Sequence, residues 1–204
     1  AVAGLLLGAG LFVGHAADLV RRDLPGDYVE GVVLSAQLDA AAGHSPFDPR
    51  GWAEPPYRIH LYGPVFYQLG GALLHFAGGV ASLVPGRLLS LAGLGLALAS
   101  SWVLSRRAGA GQMAATVGLL APLSFLPVLI FAPQNRVDTL AAGLALAGLA
   151  VGTFERPRSP LYAGGLFSLA LFTKPTALAA PVALWLDLER RREIRAAAKL
   201  LAAA

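Results

Sequence analysis

Apolar segments of about the length of a membrane span follow one another along most of this chain. They cover 1–18, 63–80, 88–105, 112–133, 139–154 and 160–188. A bilayer core about 30 Å thick takes about 20 helical residues, and a chain inside it must satisfy its backbone groups internally. The chain is 56% hydrophobic and only 14% charged, whereas a soluble domain is about a quarter charged. The sequence therefore predicts an all-α, polytopic transmembrane helical bundle and excludes a water-soluble enzyme.

The basic residues form short clusters between the apolar segments. Arg106 and Arg107 make the first cluster, Arg156 and Arg158 the second, and the run 190–192 the third. Because such clusters favour the cytoplasmic side of a membrane, they indicate topology and not a nucleic-acid surface. The chain contains no cysteine, which excludes disulfides, thiolate metal sites and a cysteine nucleophile.

The clusters also predict an order of spans within one transmembrane domain fragment, residues 1–204, whose C-terminal part we expect to be missing. The predicted spans are 1–18, 88–105, 112–133, 139–154, 160–173 and 176–188. The last two are separated at Lys174-Pro175, because proline disrupts a helix. An outer loop, 19–85, holds an apolar helix over 63–80 that does not cross the membrane. The alternative, with the N-terminus outside, lets 63–80 cross.

Two carboxylates in the predicted outer loop are candidates for catalysis. Asp27 and Glu30 stand three residues apart, so a helix beginning near Pro25 places both on one face. Such a carboxylate could act as a general base. The alternative is structural, with Asp27 capping the helix and Glu30 favoured by the helix dipole.

Three further ionisable residues lie at the ends of apolar segments. Arg136 and Asp138 separate 112–133 from 139–154, and Lys174 follows an apolar run. Ionisable residues at membrane depth are functional candidates, and arginine is suited to binding phosphate. The alternatives are an Arg–Asp pair closing a tight turn and a lysine that reaches the headgroups.

Other catalytic signatures are missing from the sequence. The four histidines show no metal-ligand spacing, and there is no phosphate-binding loop, nucleophile elbow or dinucleotide fingerprint. A nucleotide-dependent or serine-hydrolase function therefore has no support.

An ordered set of short motifs resembles the N-terminal half of the GT-C membrane glycosyltransferases, of the protein-mannosyltransferase and aminoarabinose-transferase type. The motifs are Asp27-Tyr28-Val29-Glu30, Gly43-His44-Ser45-Pro46-Phe47, Tyr62-Gly63-Pro64, Gly86-Arg87-Leu88-Leu89-Ser90, Arg136-Val137-Asp138 and Thr173-Lys174-Pro175. Each motif alone is weakly specific, and the ordered set covers most of the chain.

The resemblance implies juxtamembrane helices in the outer loop, and it implies roles for these residues. Asp27 would activate the acceptor, assisted by Glu30. Arg136, with Lys174 and Arg87, would bind the phosphate of a polyprenyl-phosphate-linked sugar. Asp138 and Tyr62 join the expected substrate-binding set, no metal ligand is expected, and a divalent cation is a possible cofactor.

The chain departs from the family pattern in two places. Asp23 competes with Asp27 for the catalytic role, because family members often carry adjacent Asp-Glu several residues before the tyrosine. The usual Tyr-Pro-Pro is Tyr62-Gly63-Pro64 here.

The predicted function is inverting transfer of a sugar to an acceptor lipid, glycan or protein on the extracytoplasmic face of the inner (plasma) membrane. Membrane lipid is an expected partner and nucleic acid is not. The alternative is a transporter or flippase-like protein in which Arg136, Asp138 and Lys174 line a substrate path.

Overall fold

The computed structural model describes residues 2–53, 55, 60–154, 156–190 and 193–203, with only the backbone of Trp52, Ile194 and Arg195. The regular elements in these ranges are all helical. They are α1 (Val2–Arg21), α2 (Tyr28–Ala41), α3 (Arg50–Ala53), α4 (Pro64–Phe76), α5 (Val84–Arg107), α6 (Gln112–Leu120), a 3-10 turn (Ala121–Ser124), α7 (Leu126–Phe131), α8 (Val137–Gly152), α9 (Ser159–Thr173), α10 (Ala179–Arg190) and α11 (Ile194–Ala203). The all-α prediction is confirmed.

Among the described residues, two helices are long and apolar enough to cross a membrane, judged by length and composition. They are α1, with 20 residues, and α5, with 24. Shorter apolar helices cover Gln112–Ser124, α8 and α9. The side of α1 that faces away from the bundle exposes large apolar side chains, including those of Leu6, Leu7, Leu11 and Val13. A lipid-facing helix has such a surface. The chain is a helical membrane protein.

The most extensive packing in the bundle joins α5 to α8. Gly93 of α5 faces the backbone of Leu140, and Gly143 of α8 faces the carbonyl of Gly93. A Cβ added at Gly93 would lie 2.5 Å from the Cα of Leu140. Small residues allow this close approach, which is how helices pack in lipid, where apolar burial gives little driving force.

The segment 112–133 differs from the single continuous span that its hydropathy predicts. It is divided into α6, the 3-10 turn and α7. Pro122 and Pro127 stand near the start of the second and third pieces. Proline lacks an amide hydrogen and cannot continue the preceding helix without loss of a hydrogen bond.

The described part of the segment 19–85 folds mainly as α2 packed against α4. Val33 and Ala36 of α2 form a buried cluster with Phe66 and Tyr67 of α4. At 13 residues, α4 is about 20 Å long, which is shorter than a bilayer core. The start of α4 is attached to the end of α9, because the backbone N–H of Gly63 donates to the carbonyl of Thr173 at 3.2 Å.

The last three helices pack on one another. α9 ends at Thr173 and α10 begins at Ala179, so Lys174 and Pro175 lie in the connection between them. Phe167 of α9, Leu188 of α10 and Leu200 of α11 share one buried cluster.

Candidate functional site

The candidate residues of the sequence meet at one end of the bundle, where five parts of the chain converge. These parts are the start of α2, the residues before α4, the first turn of α5, the start of α8 with the turn before it, and the residue after α9. They bring together Asp27, Glu30, Tyr62, Arg87, Arg136, Asp138 and Lys174. Within this set, a buried pair is distinct from a partly exposed network.

The buried pair consists of Glu30 and Arg87, both with no exposed side-chain surface. Arg87 donates from Nε to Oε1 of Glu30 at 2.9 Å and from Nη2 to Oε2 at 2.8 Å. Its other hydrogen bonds go to backbone carbonyls that precede α2, those of Leu19, Arg22 and Leu24. A guanidinium has five N–H donors, and all five are used here. Arg87 therefore has no donor left for the phosphate that the sequence-based hypothesis assigned to it.

The hydrogen-bonding capacity of the Glu30 carboxylate is filled as completely as that of the Arg87 guanidinium. Besides Arg87, it accepts from the backbone N–H of Gly26 and from that of Asn135, both at 2.6 Å. Burial by itself would raise the pKa of Glu30, but these hydrogen bonds and the charge of Arg87 outweigh burial and hold it below its ordinary value. Four accepted hydrogen bonds fill the four lone-pair sites of a carboxylate, so Glu30 is suited to holding backbone in place.

A second buried polar contact fixes the same turn. Gln37 of α2 and Asn135 exchange two amide hydrogen bonds, of 3.1 and 2.9 Å, and neither side chain is exposed. Sequence reasoning did not identify Gln37. Its one signal was an uncharged polar residue in the apolar stretch of α2. With Glu30, this amide pair holds the turn before α8 against α2.

Asp27 and Arg136 form the first link of the partly exposed network. Oδ1 of Asp27 accepts from the N–H of Glu30 at 3.1 Å, which caps α2. Oδ2 accepts from Nη1 of Arg136 at 2.8 Å. The backbone of Arg136 is held by the hydroxyl of Ser90. Asp27 therefore caps the helix and also presents a carboxylate oxygen to the charged network.

Asp138 and Lys174 continue the network. Oδ1 of Asp138 lies 2.5 Å from Nζ of Lys174, and Oδ2 lies 3.4 Å from Nε of Arg136. Nζ of Lys174 also lies 5.6 Å from the ring centroid of Tyr62. The charged network is thus Asp27, Arg136, Asp138 and Lys174, with Tyr62 beside its end.

The charged network retains hydrogen-bonding capacity that the buried pair lacks. Arg136 is 21% exposed and Asp138 41% exposed. Within the described part of the chain, Arg136 uses two of its five side-chain N–H donors and Lys174 one of its three. These unused, accessible N–H donors can form hydrogen bonds with an anionic ligand such as a phosphate.

Two apolar clefts open on either side of Asp138. One, of about 300 Å³, is lined by Lys174 and by alanines of α8 and α10. The other, of about 340 Å³, is lined by Arg136 and by apolar side chains of α5 and α7, including Phe131. Each cleft therefore combines a cationic side chain with an apolar wall.

Asp23, the rival of Asp27, has a different position. Its Oδ1 accepts from the backbone N–H of Leu83 at 3.0 Å and from the hydroxyl of Ser82. It therefore ties the chain before α2 to the start of α5, and these contacts do not include the charged network.

Metal-ligand chemistry is limited in the part of the chain that the structure describes. No cluster of three or more His, Cys, Asp or Glu side chains occurs there. Asp27 and Asp138 are the carboxylates of the charged network, and each is paired with a cationic side chain.

The fold and this site define a helical membrane protein that gathers two carboxylates and two cationic side chains at one end of its bundle, next to apolar clefts. The family model for the alpha-(1->6)-mannopyranosyltransferase, N-terminal domain, matches residues 49–189. The chain belongs to this family of glycosyltransferases. The matched region contains Arg87, Arg136, Asp138 and Lys174, and it begins after Asp27 and Glu30. No curated protein and no solved structure matches the chain significantly.

Proposed function

We propose that this chain forms part of an enzyme that transfers a mannosyl group from a polyprenyl-phosphate donor to an acceptor on the outer face of the membrane. The observation that carries the proposal is the unused donor capacity of Arg136 and Lys174 beside the carboxylate of Asp27. Family membership supports sugar transfer over transport, and the family description supports a mannosyl group and an α-(1→6) product.

The phosphate of the donor would bind between Arg136 and Lys174. Arginine can give a phosphate two parallel hydrogen bonds, and lysine adds a mobile point charge. The apolar clefts beside Asp138 offer a path for the isoprenoid tail.

In the transfer step, a hydroxyl oxygen of the acceptor attacks the anomeric carbon opposite the phosphate. The carbon–oxygen bond to the phosphate breaks, and polyprenyl phosphate leaves with the electron pair. The hydroxyl proton passes to the carboxylate of Asp27, which acts as general base. Arg136 and Lys174 stabilise the charge that develops on the phosphate. Because this displacement inverts the anomeric centre, an α product requires a β-linked donor.

Glu30 and Arg87 would act by positioning and not by touching the substrate. The carboxylate of Glu30 holds the N–H of Gly26, directly before Asp27, and the N–H of Asn135, directly before Arg136. A single buried side chain thus sets the separation between Asp27, the proposed base, and Arg136, which is proposed to bind the phosphate. Asp138 would orient Arg136 and Lys174, and Tyr62 would flank Lys174.

The proposed topology places the charged network on the extracytoplasmic side of the inner (plasma) membrane, in a protein that crosses it several times. Support comes from the basic residues at the opposite ends of the helices, Arg106 and Arg107 of α5 and Arg156 and Arg158 before α9. With α4 lying across the outer surface, Asp27 and Lys174 share one side.

The proposal is tested with the full-length protein in detergent, a radiolabelled polyprenyl-phosphate mannose donor and a mannoside acceptor. Asp27→Asn should lower kcat by about 10²–10⁴-fold, because it removes the proton acceptor, and donor binding should persist. Asp23→Asn is the matched control, since an asparagine oxygen can still accept the N–H of Leu83. Equal activity of Asp27→Asn and wild type would overturn the role of Asp27, and loss of activity only in Asp23→Asn would move the base to Asp23.

A further inference from the structure

A third cavity lies at the end of α8 opposite Asp138, roughly 20 Å away along the helix. Its volume is about 560 Å³. Its lining includes Phe154, Arg156, Arg158 and Tyr162. This far cavity shares no lining residue with the clefts beside Asp138, so the proposed transfer reaction does not use it.

Guanidinium groups converge around the far cavity. Cζ of Arg107 lies 3.9 Å from the ring centroid of Phe154, and Cζ of Arg156 lies 5.9 Å from the same centroid. Arg158 lines the cavity from the start of α9. Cation–π contacts of this kind hold the guanidinium planes while leaving their edges able to donate.

These arginines are not neutralised by the part of the chain that the structure describes. Arg107 donates to the hydroxyl of Thr153. Among the described ion pairs, none joins a carboxylate to Arg107, Arg156 or Arg158. Glu155 is outside the described residues. The far cavity therefore concentrates positive charge with free donors, which favours an anion.

The surroundings of the far cavity favour an anion that carries an apolar tail. Tyr162, at the cavity, is exposed, and so are Leu169 and Phe172 further along the same helix. Their spacing of seven and three residues places them on one face of α9. An exposed apolar stripe that begins at a basic cavity fits acyl chains below a headgroup, whereas a free phosphate ion would gain nothing from it.

We propose that the far cavity binds the phosphate headgroup of an anionic phospholipid, held by Arg156 and Arg158 with Arg107, while its acyl chains lie along the exposed face of α9. The ligand is a phosphodiester lipid that anchors this end of the bundle in its leaflet. The site is independent of the proposed donor site, because the two lie at opposite ends of α8.

The test measures lipid binding by native mass spectrometry of the protein in detergent, with phosphatidylglycerol and phosphatidylcholine as probes. Wild type should retain phosphatidylglycerol preferentially. Arg156→Gln with Arg158→Gln should weaken that binding by at least about tenfold, because each substitution removes charge-assisted hydrogen bonds that contribute to the affinity for the headgroup. The matched control, Arg106→Gln with Arg190→Gln, removes the same charge from the same end outside the cavity lining and should retain the preference.

Three results would overturn the proposal. An equal loss in the two double variants would show a general charge effect and no site. Displacement of phosphatidylglycerol by excess inorganic phosphate would identify a free-phosphate site instead. Equal binding of the two lipids by wild type would show no headgroup recognition.

A second variant keeps the test decisive if the glutamine substitutions disturb folding. Arg156→Lys with Arg158→Lys preserves the charge but removes the paired donation of guanidinium. It should bind phosphatidylglycerol more weakly than wild type, with an unchanged thermal unfolding midpoint in detergent alone. Binding equal to wild type would contradict the assignment of the two arginines.

Discussion

The guanidinium of Arg87 pairs with the carboxylate of Glu30 through two hydrogen bonds, of 2.9 and 2.8 Å, in a place that no solvent reaches. The same carboxylate holds the backbone directly before Asp27 and directly before Arg136. The separation between Asp27, the proposed base, and Arg136, which is proposed to bind the phosphate, thus depends on Glu30. Glu30 itself is buried and accessible to neither substrate.

Removing one partner of the buried pair should destabilise the protein strongly. Glu30→Gln leaves the charge of Arg87 buried without its counter-ion, and we expect a loss of about 3–5 kcal/mol in the free energy of unfolding. Unfolding in mixed micelles by denaturant titration measures it. Asp48→Asn, which breaks the exposed pair with Arg50, is the control and should leave the unfolding midpoint in place. A similar midpoint for Glu30→Gln and wild type would contradict the buried pairing.

The same pair predicts a dependence of stability on pH. The folded protein holds the pKa of Glu30 below its ordinary value of 4.5. The unfolded chain therefore binds this proton at higher pH, so the contribution of Glu30 is present above pH 4.5 and is lost as the pH falls towards the folded pKa. The unfolding midpoint of wild type should fall more steeply below pH 4.5 than that of Glu30→Gln. Parallel profiles would show that Glu30 does not titrate in this way.

Arg136 should matter for the chemical step. Arg136→Gln removes a cationic donor from the developing phosphate charge, and we expect kcat to fall by about 10²–10³-fold. Arg22→Gln, which breaks an exposed pair with Asp18, should keep wild-type kcat. If Arg136→Gln raises only KM, Arg136 binds the ground state and the transition state equally.

The close crossing of α5 and α8 predicts that alanine substitution of two glycines in α5 has opposite effects on the stability of the protein. Gly93→Ala places a methyl group against the backbone of Leu140 and should cost about 1–3 kcal/mol through overpacking. Gly95→Ala meets nothing within 4 Å and should stabilise α5 by up to about 1 kcal/mol, since alanine favours helices. Thermal unfolding in detergent ranks the two, and the reverse order would mean that the helices do not cross at Gly93.

The proposed topology is open to chemical labelling, because the chain contains no cysteine. Single cysteines at the exposed positions Tyr28 and Thr176 should react with a membrane-impermeant thiol reagent in intact cells. Cysteines at Arg106 and Arg158 should react only after the membrane is opened, since basic clusters favour the cytoplasm. Labelling at 176 with protection at 28 would separate Asp27 from Lys174 and overturn the shared outer site.

The sequence determined the helical class of the fold, because a chain with so many apolar residues and so few charges must satisfy its backbone within helices. It also identified the charged residues at the segment ends, since ionisable groups are costly next to a membrane and stand out in the sequence. The sequence predicted one span over 112–133, and the structure divides this segment at Pro122 and Pro127.

Only the tertiary structure decided which of these residues remain available to a ligand. Arg87 and Arg136 are chemically identical and both occur in family-like motifs, but Arg87 is buried with all five donors used, whereas Arg136 is partly exposed with donors unused. Gln37 becomes significant only because folding brings it to Asn135, 98 positions away in the sequence. Hydrogen bonding is saturable and directional, so the role of a charged side chain depends on how many partners the folded chain places around it, which no local pattern specifies.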